Sequence, residues 1–115
     1  MSLIIKFIIE NDSETQVPNN GLFGFEIWRK SLWGNPVISN LGCVLIPTLR
    51  HADIFATEKN LENLKEDLLL IQNNIEEISK HTEVDKESIQ LRVSNALEFI
   101  EIAEKENDII GVYIG

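Results

Sequence analysis

A chain of 115 residues, 43% of them hydrophobic, has the size of one domain over 1–115 and can bury a real core, with no room for two independent ones. Its formal net charge of -9 argues against nucleic acid and against an anionic membrane surface, because binding phosphates needs a basic surface. No apolar run approaches the ~20 residues needed to span a bilayer, and the single cysteine, Cys43, excludes an intrachain disulfide.

The predicted elements begin at once. Leu3, Ile5, Phe7 and Ile9 share one face at period two, while Lys6 and Glu10 share the other with Ile4 and Ile8. This predicts a central strand rather than a signal peptide, since Lys6 interrupts the apolar run and no positive region precedes it. A cytoplasmic location is the expectation. Residues 11–21 are rich in turn formers and predict a polar loop closing a hairpin. The second strand, 22–29, would bury Phe23, Phe25 and Ile27 and turn Trp28 to the opposite side. Trp33-Gly34-Asn35-Pro36 predicts a turn whose indole folds back on the domain.

Asn35 before Pro36, with Gly42 beyond, has the cap, first-turn and stop pattern of a short helix burying Val37, Ile38 and Leu41. The β-branched residues also suit a strand; the helix is preferred. Residues 43–46 read as a buried strand ended by Pro47. Leu61, Leu64, Leu68, Ile71, Ile75 and Ile78 then repeat at 3-4-3-4-3, predicting one long helix over 58–80 with Thr57 as its cap. Ile89, Val93, Ala96, Leu97, Ile100 and Ala103 predict a second over 85–106, begun by Thr82 or Asp85, with Leu91, Phe99 and Ile102 off its inner face. Residues 109–114 close the chain as a strand, placed beside the first. The fold class is α+β: a small, mainly antiparallel sheet of about four strands with two long antiparallel helices on one face, in the order β-β-(α)-β-α-α-β.

Candidate chemistry is sparse. On a strand, His51 and Asp53 would point the same way and could share a metal or couple a base to its orienter. A catalytic metal needs about three protein ligands, and His81 lies beyond the first long helix, so neither a metal nor a cofactor is expected. The plainer reading has the pair organising a turn. Glu26 is the carboxylate with the least ordinary surroundings, or else the cross-strand partner of Lys6. Cys43, among Leu41, Val44, Leu45 and Ile46, reads as a small buried hydrophobe. No phosphate loop or nucleophile elbow is present, and no catalytic residue is assigned.

Charge is the most informative property. Residues 1–52 hold four acids and four bases, whereas 53–115 hold the other fifteen acids against six bases. Glu58, Glu62 and Glu66 run down the outside of the first long helix, and Glu98, Glu101 and Glu104 do so on the second. The ordinary meaning is a solvated face; the sharper one is a landing surface for a basic protein. Trp28, facing away from the core, would be its aromatic anchor or the seat of a second protomer.

Ile46-Pro47-Thr48-Leu49, His51-Ala52-Asp53 and Leu64-Lys65-Glu66-Asp67-Leu68-Leu69-Leu70-Ile71 together resemble a pattern in small bacterial polymorphic-toxin immunity proteins. There, Pro-x-Leu leads to His-x-Asp and then to a helix reading Leu-x-x-acid-Leu-x-x-Ile; a Gly and a Trp expected before that helix are replaced here by Ile54-Phe55-Ala56. The resemblance implies a cytoplasmic protein that works by stoichiometric occlusion of a basic toxin domain, without catalysis. The alternatives are a self-associating regulatory or structural subunit, or a small ligand-binding or enzymatic domain using His51 and Asp53.

Overall fold

The computed structural model describes residues 2–9 and 21–115. Among these the chain is α+β, with a four-stranded antiparallel sheet backed by helices. The strands are β1 (Ser2–Ile9), β2 (Leu22–Phe25), β3 (Ile54–Thr57) and β4 (Ile109–Ile114), in the spatial order β2-β1-β4-β3. The last strand lies beside the first as expected, with Ile5 opposite Ile114 and Phe7 opposite Val112. The predicted polar loop lies outside the described residues, as does Glu10.

Alternation sorts the sheet into two faces. Leu3, Ile5, Phe23, Ile54, Ala56, Val112 and Ile114 are buried beneath the helices. They form one continuous core with Leu64, Leu68, Ile71, Ile78, Ile89, Val93, Ala96 and Ile100. The seam read from the 3-4 spacing therefore faces inward, although Leu61, Ile75 and Leu97 reach only half-burial. Phe99, expected off the inner face, is buried instead: its ring packs 4.8 Å from that of Phe7 on β1.

The first long helix is two helices. α2 (Lys59–Gln72) stops at Asn73-Asn74, and α3 (Ile75–Thr82) follows. Asn74 accounts for the break, because its side-chain amide donates to the Leu70 carbonyl at 2.7 Å. Thr57 ends β3 and does not cap α2; the cap position is Glu58, with φ 53° and ψ -124°. The helix predicted over 85–106 is α4 (Lys86–Lys105), and here the Asp85 carboxylate accepts the Ser88 N–H at 3.0 Å. The short helix α1 (Pro36–Asn40) forms as read, with the Asn35 side chain accepting the Val37 N–H at 2.9 Å.

Two strand expectations need correction. The strand predicted over 43–46 does not form; the backbone there passes into a 3-10 turn, Ile46–Arg50, with Pro47 in its first turn. The third strand is Ile54–Thr57. The second strand ends at Phe25, not 29, because Gly24 takes φ +99° and breaks the alternation. A Cβ at Gly24 would overlap the Trp28 indole, which lies against the bare backbone there. Trp28 is consequently 8% exposed and belongs to the core, while Phe25 and Ile27 turn outward. A tight π-helical turn, Arg29–Trp33, follows. Trp33 does fold back: it is buried, its Nε1 donates to the Phe23 carbonyl at 3.1 Å, and it stacks on Phe23 at 4.3 Å.

Candidate functional site

Asp53 is a structural knot. Arg29 Nη2 donates to Asp53 Oδ1 at 2.6 Å, and the Tyr113 hydroxyl donates to Oδ2 at 2.7 Å. Arg29 also donates from Nη1 to the Leu49 and Ala52 carbonyls and pairs through Nε with Glu26. One guanidinium thus ties the π-helical turn to the 3-10 turn and to the start of β3. The Tyr113 bond, then Arg29, holds the Asp53 carboxyl below the usual carboxylate range, and the same bond raises the Tyr113 hydroxyl.

His51 is exposed and sits at the end of the 3-10 turn, where its backbone N–H donates to the Thr48 carbonyl at 3.0 Å. Both Asp53 oxygens are engaged elsewhere, so the base-and-orienter couple does not form, and Asp53 organises the turn. Among the described residues no three His, Cys, Asp or Glu side chains come together as a metal-binding group. Glu26 pairs with Arg29 rather than Lys6, whose ammonium lies 4.7 Å from the Tyr113 ring centroid.

Asp67 went unread as a special residue. It is 2% exposed, and its carboxylate accepts the backbone N–H groups of Val44, Leu45 and Ile46 at 2.7–3.1 Å. These are the groups that the predicted 43–46 strand would have paired in a sheet. Cys43 lies beside it, its sulfur 3.6 Å from the Asp67 carbonyl, and burial first, then the Asp67 charge, pushes the thiol up to about 12. A signal existed: Asp67 lies between Leu64, Leu68 and Ile71 on the buried seam, where an unpartnered acid is costly. The residues Leu49, Asp53, Leu64, Asp67, Leu68 and Ile71, on which the immunity-protein resemblance rests, are here packing and hydrogen-bonding elements of the scaffold.

The predicted partner-binding acids lie in the helical layer. Glu62 and Glu66 are exposed along α2 and Glu98 and Glu101 along α4, while Glu58, expected on the same helix, is exposed at the cap position just before it. Lys65 on α2 reaches Glu104 on α4 at 3.1 Å, so the two helices stand side by side in one outer surface. Glu101 has a neighbouring cation, Lys105, at 3.1 Å. Between residues 59 and 106 twelve acids face six bases. Leu69 and Leu91 are exposed in the same layer. Trp28 does not join this surface, being buried against Gly24 and edge-on to Trp33.

Among the described residues no helix is long and apolar enough to cross a membrane. No protein-family model, curated protein or solved structure matches the chain.

Proposed function

We propose that this chain is a stoichiometric binding protein whose acidic helical layer captures a basic protein domain, as an immunity protein occludes a toxin. The observation that carries this reading is the segregation of charge. The excess of acid lies on α2, α3 and α4, where the exposed Glu62 and Glu66 follow one another along α2 and Glu58 stands exposed at its cap position. Like charges at such spacing repel weakly and contribute nothing to the fold, so their concentration suits a field that accelerates encounter with an opposite charge. Leu69 and Leu91 supply apolar contact within the same layer, in the role first assigned to Trp28. The domain works by occupancy, with no reaction and no cofactor of its own.

The test pairs the purified protein with the product of a toxin-like reading frame encoded beside its gene. Association is followed by stopped-flow fluorescence from about 50 to 500 mM salt. Steering acts over about 10 Å at 0.1 M salt, so the association rate should fall as salt rises. Replacing Glu58, Glu62 and Glu66 together with Gln should slow association about tenfold at low salt and change dissociation little. Association indifferent both to salt and to these three charges would reduce the acidic layer to a solvated surface.

A further inference from the structure

A groove of about 590 Å³ lies where α2 gives way to α3, against the first half of α4. Ile75 and Leu91 give its apolar lining, and Gln72, Gln90 and Ser94 its polar edge. Gln90 donates to the Ser94 hydroxyl at 2.9 Å, so part of that edge is already satisfied. Leu91 is 53% exposed and Ile75 half-buried, and both offer aliphatic surface that the fold leaves in water.

The charges around the groove select its occupant. Glu87, Leu91, Ser94 and Glu98 stand at i, i+4, i+7 and i+11, in one row along α4. Glu87 is one turn from Leu91 on one side and Glu98 two turns away on the other, a span of about 16 Å. Lys86, on the groove wall, is paired with Glu76 at 3.7 Å, and Lys65 and Lys105 are paired with Glu104 and Glu101. Glu87 and Glu98 have no ion-pair partner among the described residues. Residues 10–20 contain acids and no base, so they cannot reverse this sign. The groove thus joins an aliphatic centre to an unanswered acid at each end, and an occupant complementary to both carries a base on either side of an apolar side chain. We propose that it receives an amphipathic helix of a basic protein, with one aliphatic side chain seated against Ile75 and Leu91 and Lys or Arg set against Glu87 and Glu98. This rests on the capture reading above and gives it a point of contact. A helix repeats its side chains at the spacing of this row, so a base four residues to one side and seven to the other meets both acids. An extended segment covers about 16 Å in about five residues, which turns its first and last side chains to opposite faces. Glu62 and Glu66 then act on encounter, and the groove on dissociation.

The test is an NMR titration of the isotope-labelled chain in about 50 mM salt with a synthetic Ala-rich helical peptide of about 18 residues. The peptide carries one leucine, with a lysine four residues before it and another seven after it. Amide shifts centred on Gln72, Ile75, Gln90, Leu91 and Ser94 are expected, saturating below about 1 mM peptide. Serine in place of the peptide's leucine, or Leu91→Ser in the protein, should weaken binding at least tenfold. Glutamine in place of both peptide lysines should do the same. Phe55→Ser, on the far face of the sheet, should leave binding unchanged, and melting curves check the fold of both protein variants. Equal binding of the leucine and serine peptides, with shifts spread over the acids, would overturn the groove and leave the capture reading standing. Equal binding of the uncharged peptide would overturn the basic occupant, and groove shifts that grow with protein concentration alone would make the occupant a second copy. No binding by any peptide at about 2 mM would also overturn the groove, and the salt dependence of the encoded partner's association would still decide capture on its own.

Discussion

The carboxylate of Asp67, midway along α2, accepts the backbone N–H of Leu45 at 2.7 Å, binding a helix to a segment 22 residues earlier. With Val44 and Ile46 bound to the same group, three backbone donors that have no sheet partner are satisfied by one side chain. Asp67→Ala leaves them without that partner and should destabilise by about 3 kcal/mol or more. Asp67→Asn keeps one acceptor oxygen and should cost about half as much. Urea unfolding of both variants checks the order; equal, small losses would show that water replaces the carboxylate.

Leu68 is fully buried on the α2 seam, one residue beyond Asp67. Leu68→Ala removes a side chain held between helix and sheet and should cost about 2–5 kcal/mol, depending on how far the cavity collapses. Leu69→Ala, one position on and 41% exposed, should change stability by less than about 1 kcal/mol. A reversal of that order in chemical denaturation would mean the inner face of α2 is wrongly placed.

The helices were the legible part, because a 3-4 repeat over six apolar positions admits few other structures. The break within the first was written in Asn73-Asn74, which a seam continuous through Ile75 and Ile78 concealed. The third strand was misplaced because Cys43-Val44-Leu45-Ile46 has the composition of a buried strand, and only a distant side chain, Asp67, reveals that its N–H groups bond elsewhere. Ile54-Phe55-Ala56-Thr57 alternates buried and exposed residues, but four residues make a weak pattern. Trp28 was misread because strict alternation was carried past Gly24, whose positive φ resets which way the following side chains point. The Arg29–Asp53–Tyr113 knot spans 84 residues of sequence and leaves no local pattern at all.

Stability should fall in acid below the usual carboxylate range. The Asp53 pKa is depressed in the fold, by the Tyr113 hydroxyl first and Arg29 second, and that of Asp85 by its bonds from Ser88. A depressed carboxyl contributes stability that is complete above its unfolded value near 4 and is lost as pH falls through the folded value. Asp53→Asn should flatten the decline of melting temperature between about pH 4 and 2, and Tyr113→Phe should flatten it partly. Tyr113, raised in the fold, adds stability present below about pH 10 and lost as pH rises through its folded value, so Tyr113→Phe should also soften the alkaline limb. Identical pH profiles for wild type and Asp53→Asn would place the acid sensitivity elsewhere.

Cys43 should be inert while the chain is folded. Burial and the neighbouring Asp67 push its thiol up to about 12, so the reactive thiolate at pH 8 is far scarcer than in the unfolded chain. Labelling by a small alkylating reagent at pH 8 should be slow in buffer and fast in denaturant. Comparable rates in both would show that the segment around Cys43 opens readily, and with it the Asp67 contacts.

Glu58 joins the stability of the fold to its proposed use. Its φ of 53° and ψ of -124° suit glycine and strain a residue bearing a Cβ, and it precedes Glu62 and Glu66 of α2 in the proposed capture face. Nothing in the turn uses its side chain, since no cap hydrogen bond forms there. Glu58→Gly should therefore stabilise the chain by about 1 kcal/mol, the relieved strain being partly offset by the greater freedom of glycine when unfolded. Glu58→Ala keeps the strain and removes the charge, so it should not stabilise. Both variants should slow association with a basic partner by the same factor, because both remove the same charge from the encounter surface. Urea unfolding separates the first effect and stopped-flow association the second. Should Glu58→Gly stabilise while leaving the association rate untouched, the strain would be a matter of the β3–α2 turn alone, and the capture face would begin at Glu62.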